Sequence, residues 1–241
     1  MTFPWVPRIP PLAPGVIQVH RFTLAAPPAR REALLALLTD DERQRASGYF
    51  FPVHQERFVV GRATLRLILS PHLGTQPSAV RLRVGPHGKP ALHDDTALRF
   101  NLSHCEDCAV CAVTTGHDVG IDVEAVRERP LLHQVAQRFF SPVEAQEVLS
   151  APAPAQLRRF LTCWTRKEAF IKACGGGLSI PLDGFQVTTQ GPARLLATPW
   201  APDEVERWSL MDVDVGPDHV AALAVGAGNH VVEQVRWEEP G

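Results

Sequence analysis

The sequence has no uninterrupted apolar stretch of the roughly eighteen residues that a membrane-spanning helix needs. It also lacks a surplus of one charge. Its 24 Lys and Arg against 26 Asp and Glu leave a formal net charge of −2, which argues against a broad basic face for nucleic-acid binding. Residues 1–15 are rich in proline and lack the continuous apolar core of a secretory signal. A Walker loop and a GxGxxG run are both missing, so the usual nucleotide-binding loops are absent. The expectation is a cytoplasmic protein without membrane or nucleic-acid partners, its five cysteines present as reduced thiols.

What remains is a chain of 241 residues, 45% hydrophobic, enough to bury a full core as one large domain or two small ones. Three cysteines form Cys105-x2-Cys108-x2-Cys111, a spacing that suits zinc or iron–sulfur ligation. No fourth ligand motif accompanies it. Residues 109–113 read instead as a buried strand of small apolar residues, in which free cysteine packs as a small hydrophobe. The packing reading is preferred.

The order of elements occurs twice. In the first half a strand at 16–22 precedes a helix at 29–38, and Thr39 with Glu42 forms a capping-box pattern for a second helix. A long helix follows at 53–69, with a stop near Ser70-Pro71, and then strands near 80–84, 98–102 and 109–114. The second half opens with a strand at 119–123 and a helix near 131–139. Ser141 then caps a helix that begins at Pro142, with Glu144 three residues after the cap. A long helix at 154–174 ends at Gly175-Gly176-Gly177, and strands follow at 185–189, 208–215 and 219–225. This predicts an α+β fold with a pseudo-twofold duplication. Two similar lobes, 1–116 and 117–241, each pack a small antiparallel sheet with a long helix, and the active site lies in the cleft between them.

On a strand, Asp122 and Glu124 of Gly120-Ile121-Asp122-Val123-Glu124 project together while Ile121 and Val123 face the core. The pair is either a solvated face or two carboxylates that a cation keeps ionised. Trp164, Glu168 and Lys172 fall at i, i+4 and i+8 of a helix and share one stripe. That stripe is either an ordinary amphipathic face or the second wall of the same site. If the two elements meet, three carboxylates converge, an oxygen donor set of the kind Mg²⁺ takes. Two further strings, Gly85-Pro86-His87-Gly88-Lys89-Pro90 and Asn101-Leu102-Ser103-His104, carry little weight alone.

Taken in order, these strings are more specific. Gly88-Lys89-Pro90, Asn101-Leu102-Ser103-His104, Gly120-Ile121-Asp122-Val123-Glu124, Phe139-Phe140-Ser141-Pro142-Val143-Glu144 and Trp164-Thr165-Arg166-Lys167-Glu168-Ala169-Phe170-Ile171-Lys172 together resemble the surfactin-type phosphopantetheinyl transferases. The segment Gly177-Leu178-Ser179-Ile180-Pro181-Leu182 resembles that family's exit from the long helix. The resemblance implies transfer of the 4'-phosphopantetheine group of coenzyme A to a serine of an apo carrier protein, with Mg²⁺ or, alternatively, Mn²⁺. By position it implies Asp122, Glu124 and Glu168 as metal ligands and Glu168 as general base. Lys172 then holds the pyrophosphate, Ser103 and His104 contact coenzyme A phosphate, and Lys89 and Pro90 lie in the turn against the nucleotide. Arg45 and Arg57 fall where relatives grip the 3'-phosphate, although Glu42 stands where a further lysine is common. The neighbourhood of 131–149 corresponds to the carrier-docking region of relatives. A single chain holding both lobes implies a monomer. A carboxylate–metal phosphoesterase and a coenzyme A-binding regulator are the competing readings, and the carrier served is not legible.

Overall fold

The computed structural model describes residues 5–85 and 89–237. The chain begins with β1 (Val16–Thr23), α1 (Pro28–Leu35), α2 (Asp40–Ser47) and α3 (Pro52–Leu73). The capping box expected at Thr39 and Glu42 forms, with the Thr39 side chain accepting from the Glu42 N–H and the Glu42 carboxylate accepting from Thr39. α3 runs past the expected stop at Pro71. Proline lacks the N–H that would reach Leu67 O, and Ser70 Oγ lies 3.4 Å from that carbonyl as a substitute donor. The helix ends instead at Gly74, whose φ of 61° supplies the left-handed cap.

Short strands β2 (Leu82–Val84) and β3 (Pro90–Leu92) pair antiparallel, and residues 86–88 between them, His87 and Gly88 among them, lie outside the described residues. The hairpin β4 (Leu98–Cys105) and β5 (Cys108–Thr115) closes the first half, and β6 (Val119–Ala125) opens the second. After it come α4 (Leu132–Phe139), α5 (Pro142–Leu149) and α6 (Ala153–Cys174), then β7 (Gln186–Val187), β8 (Leu195–Ala197), α7 (Glu204–Arg207), β9 (Trp208–Val213), β10 (His219–Gly226) and β11 (Val231–Arg236). α6 stops at Gly175, again with a left-handed φ of 71°.

Two main sheets result. One has the order β11-β1-β5-β4 and the other β6-β10-β9. The second sheet is antiparallel throughout. The first departs from the expected antiparallel pattern, because β11 runs parallel to β1, from Val16 opposite Val231 to Arg21 opposite Arg236. The last strand therefore leaves the second half and covers the edge of β1, which would otherwise present unpaired backbone groups.

α3 packs on one face of the first sheet through Val60, Leu67 and Phe100, among others, and α6 packs on the second sheet through Phe170 and Ala222. Between the sheets Ile17, Val19, Val110, Ile121 and Leu223 form a third apolar layer. The fold is thus α+β, with both helices outside and both sheets inside. No helix among the described residues is long and apolar enough to cross a membrane.

Candidate functional site

Gly120 explains how α6 comes close to β6. A Cβ at that position would stand 2.1 Å from Ala169 O and 2.3 Å from Ala173 N, so only glycine admits the α6 backbone here. The two residues that follow it alternate as expected, with Ile121 in the core between the sheets and Asp122 turned toward α6.

Asp122 is 5% exposed. Its Oδ1 accepts from Lys172 Nζ at 2.5 Å and from Ser103 Oγ at 2.9 Å, and Lys172 also donates to Ser103 Oγ at 3.0 Å. The other oxygen, Oδ2, is buried and has no protein partner. A buried carboxylate oxygen left open in this way is costly unless something outside the protein meets it. Glu168 stands one turn from Lys172 on α6. Its carboxyl is pushed above the usual range, first by burial and then by the nearby Asp122 charge; Glu124 adds to the rise and Lys172 opposes it.

Glu124 is held by Arg129 at 2.5 Å, and Cys105 Sγ lies 3.7 Å from the same oxygen as a weak donor. The structure therefore brings the three carboxylates into one electrostatic neighbourhood. It does not close them on a common point: among the described residues no group of three acidic, histidine or cysteine side chains has metal-ligating geometry. Lys172 pairs with Asp122 and Arg129 with Glu124. The chemistry of the donor set still fits a hard cation, with carboxylate oxygens only and one of them without a partner.

A cleft of about 960 Å³ is lined by Lys89, Pro90 and Asn101 from the first half of the chain and by Glu168, Lys172 and Ile180 from the second. This is at the upper end of small-molecule sites. Lys89 closes its floor by donating to Lys172 O at 2.7 Å and Val119 O at 3.2 Å, a natural position for a cation at a helix C-terminus. Burial lowers its ammonium to about 8, with Asp118 opposing and Lys172 reinforcing the drop.

The remaining predicted residues lie elsewhere. Ser103 and His104, neighbours on β4, face opposite sides: Ser103 meets Asp122, whereas His104 lies toward Arg57. Partial burial, then Arg57 and Lys172, depress the His104 imidazole. Arg57 donates to Asp107 at 2.9 Å, and Arg45 stacks 5.4 Å from the centre of the Phe58 ring. Neither arginine lines the cleft. Glu42, the departure noted in the sequence, binds Arg66 at 2.8 Å and Arg62 at 3.6 Å in addition to capping α2, so it serves the fold of the first half.

Sequence reasoning missed Arg129, which follows Glu124 by five residues in an irregular stretch, and the contact of Cys105 with Glu124. It also left Lys167 unassigned. That ammonium is fully buried against Glu144 at 2.8 Å and donates to Leu182 O and Phe185 O, pinning the chain that leads out of the cleft wall. Cys111 points into the α3-side core while Cys105 and Cys108 pack toward the layer between the sheets, so the three thiols share no ligand position.

Comparison with known proteins agrees over most of the chain. Residues 118–224 match the family model described as the 4'-phosphopantetheinyl transferase superfamily, and residues 27–116 match that of the 4'-phosphopantetheinyl transferase N-terminal region. The chain is 37% identical to 4'-phosphopantetheinyl transferase HetI of Nostoc sp. over 228 residues, 92% of this chain and 93% of that protein. It is 34% identical to 4'-phosphopantetheinyl transferase psf-1 of Bacillus pumilus over 74% of this chain and 77% of the relative. With 4'-phosphopantetheinyl transferase Sfp of Bacillus subtilis strain 168 the identity is 30% over 65% and 68%.

Proposed function

This chain belongs to the 4'-phosphopantetheinyl transferase superfamily, and on that premise we propose a specific division of labour among its residues during transfer of phosphopantetheine from coenzyme A to a carrier-protein serine. The observation that carries the proposal is the unpartnered Oδ2 of buried Asp122, whose charge helps to raise the carboxyl of Glu168 in the cleft wall.

Asp122, Glu124 and Glu168 would hold Mg²⁺, or Mn²⁺ in its place, with Arg129 releasing Glu124 and Lys172 sharing Asp122. Bound there, the cation would supply charge neutralisation on the pyrophosphate oxygens. The protein's own residues do the rest. Lys172, at 26% side-chain exposure, reaches the cleft and offsets charge on the leaving adenosine 3',5'-bisphosphate. Glu168 takes the serine proton, and its raised carboxyl brings it nearer neutral pH, as a general base requires. The serine oxygen then attacks the phosphorus that bears pantetheine, the bond to the departing phosphate breaks, and no covalent enzyme intermediate forms.

Lys89 and Pro90 would border the nucleotide, Ser103 and His104 would contact coenzyme A phosphate, the Ser103 hydroxyl turning from Asp122 to donate there, and Arg57 and Arg45 would grip the 3'-phosphate from the α3 side. The lobes are placed at 1–116 and 117–241 as a pseudo-twofold pair, supported by the twin 22-residue helices that both end on a left-handed glycine. Among the described residues, β11 is then the strand that crosses back to the first sheet. We assign carrier docking to the face bearing Leu131, Phe139 and Val143, which are 60%, 36% and 53% exposed beside the Arg129–Glu124 pair. A cytoplasmic monomer completes the reading.

Intact-mass spectrometry of an apo carrier protein incubated with this chain, coenzyme A and Mg²⁺ tests it. The expected result is a gain equal to the phosphopantetheine group that disappears with a chelator. Coenzyme A binding without any gain, across peptidyl, polyketide and fatty-acid carriers, would leave only a binding protein.

A further inference from the structure

We propose that Cys105 and Cys108 form a reversible disulfide site whose oxidation disturbs Glu124. The part concerning Glu124 rests on the reading of that residue as a site carboxylate.

The two cysteines are register partners at the end of the β4–β5 hairpin, separated only by Glu106 and Asp107. Directly opposed strand residues project to the same face, with Cα atoms about 4.5–5.5 Å apart, within the span a disulfide bridges. Both thiols are free and partly exposed, whereas Cys111 is fully buried on the other face. The turn between them is already constrained: Glu106 has a φ of 53°, uncommon for a residue with a side chain.

The hairpin tip is wired to the site. Cys105 Sγ lies 3.7 Å from Glu124 Oε2 as donor and accepts from Ala125 N at 3.4 Å. Asp107 holds Arg57, and Glu106 pairs with Arg127 just beyond β6. Drawing Sγ of Cys105 toward Cys108 removes the thiol hydrogen from Glu124 and takes an acceptor from Ala125. Groups that orient a ligand from behind often matter nearly as much as the ligand.

The reaction needs a disulfide oxidant such as oxidised glutathione. The thiolate of Cys105 attacks one glutathione sulfur, forming a mixed disulfide and expelling the first glutathione thiolate. Cys108 then attacks the Cys105 sulfur and expels the second. The protein loses two protons and two electrons, and the oxidant becomes two thiols.

The folded full chain is equilibrated in glutathione buffers from fully reduced to fully oxidised, alkylated, and mapped by mass spectrometry. Loss of two hydrogens localised to a Cys105–Cys108 link is expected, reversed by dithiothreitol and absent in Cys108→Ser. Transfer to an apo carrier should fall about tenfold on oxidation in the parent chain and stay unchanged in Cys108→Ser. Free, alkylated Cys105 and Cys108 at every ratio would overturn the site. A disulfide that leaves the rate untouched would overturn its connection to Glu124. If even the reduced chain modifies no carrier, the transferase roles fail separately, because the mass measurement needs neither carrier nor coenzyme A.

Discussion

Lys172 donates to Asp122 Oδ1 at 2.5 Å across the packing of α6 on β6, while the second oxygen of that carboxylate remains buried and open. One ammonium thus pairs with a buried acid behind the cleft and presses down the carboxyl of Glu168 a turn away. Replacing it should separate these roles. Lys172→Met is expected to lower kcat for carrier modification on the order of 10²-fold, the usual loss when one charge-stabilising donor is removed from a reacting centre. A rate within twofold of the parent, from a protein with unchanged unfolding midpoint, would remove Lys172 from the mechanism.

The same neighbour relation gives a pH prediction. A general base works when deprotonated, so the rate should rise with pH through the Glu168 carboxyl, above the ordinary glutamate value of 4.5. Burial and Asp122 raise that carboxyl and Lys172 lowers it. Removing the ammonium therefore leaves Glu168 protonated to higher pH. The acid limb of kcat/KM in Lys172→Met should move upward, and in Asp122→Asn downward. Limbs that coincide with the parent in both variants would assign the base to another group.

Much of this geometry was legible in the sequence, because it depends on short periods. The i, i+2 relation of Asp122 and Glu124 and the i, i+4, i+8 stripe of α6 specify faces without knowledge of the whole fold. Both capping boxes followed from their spacing too. What stayed hidden was long-range or irregular. β11 pairs with a strand more than two hundred residues earlier, and with four of its six residues exposed it lacks the buried face that marks a core strand. Arg129 acts from a loop, and the opposite orientation of Ser103 and His104 emerged only once β4 was seen to continue through both.

Gly120 makes a sharper test of the packing that builds the site. In Gly120→Ala the added methyl meets backbone atoms of Ala169 and Ala173, which no rotamer change can move. Destabilisation of about 3 kcal/mol is expected, at the upper end for overpacking, with a loss of activity beyond what unfolding explains because α6 carries both Glu168 and Lys172. Denaturant midpoints and rates measured on the folded fraction separate the two. Gly191→Ala is the control: the added methyl meets nothing within 4 Å, and with a φ of 63° only backbone strain operates.

His20 should set the acid limit of stability. It is fully buried on β1, its Nδ1 accepts from Trp237 Nε1 at 3.3 Å, and its Nε2 has no partner. Burial, reinforced by His72, lowers the imidazole to about 3. The folded state therefore favours the neutral ring, while the unfolded chain takes up a proton near 6.5. The resulting stability is fully present above pH 6.5 and is lost progressively as pH falls from there toward 3. Between pH 7.5 and pH 5 this amounts to about 2 kcal/mol, read as a lower midpoint in urea. His20→Gln should flatten that slope, since an amide has no proton to take up, while keeping an acceptor for Trp237. Equal slopes in the parent and His20→Gln would place the acid-sensitive group elsewhere, with His72 on α3 the next to replace.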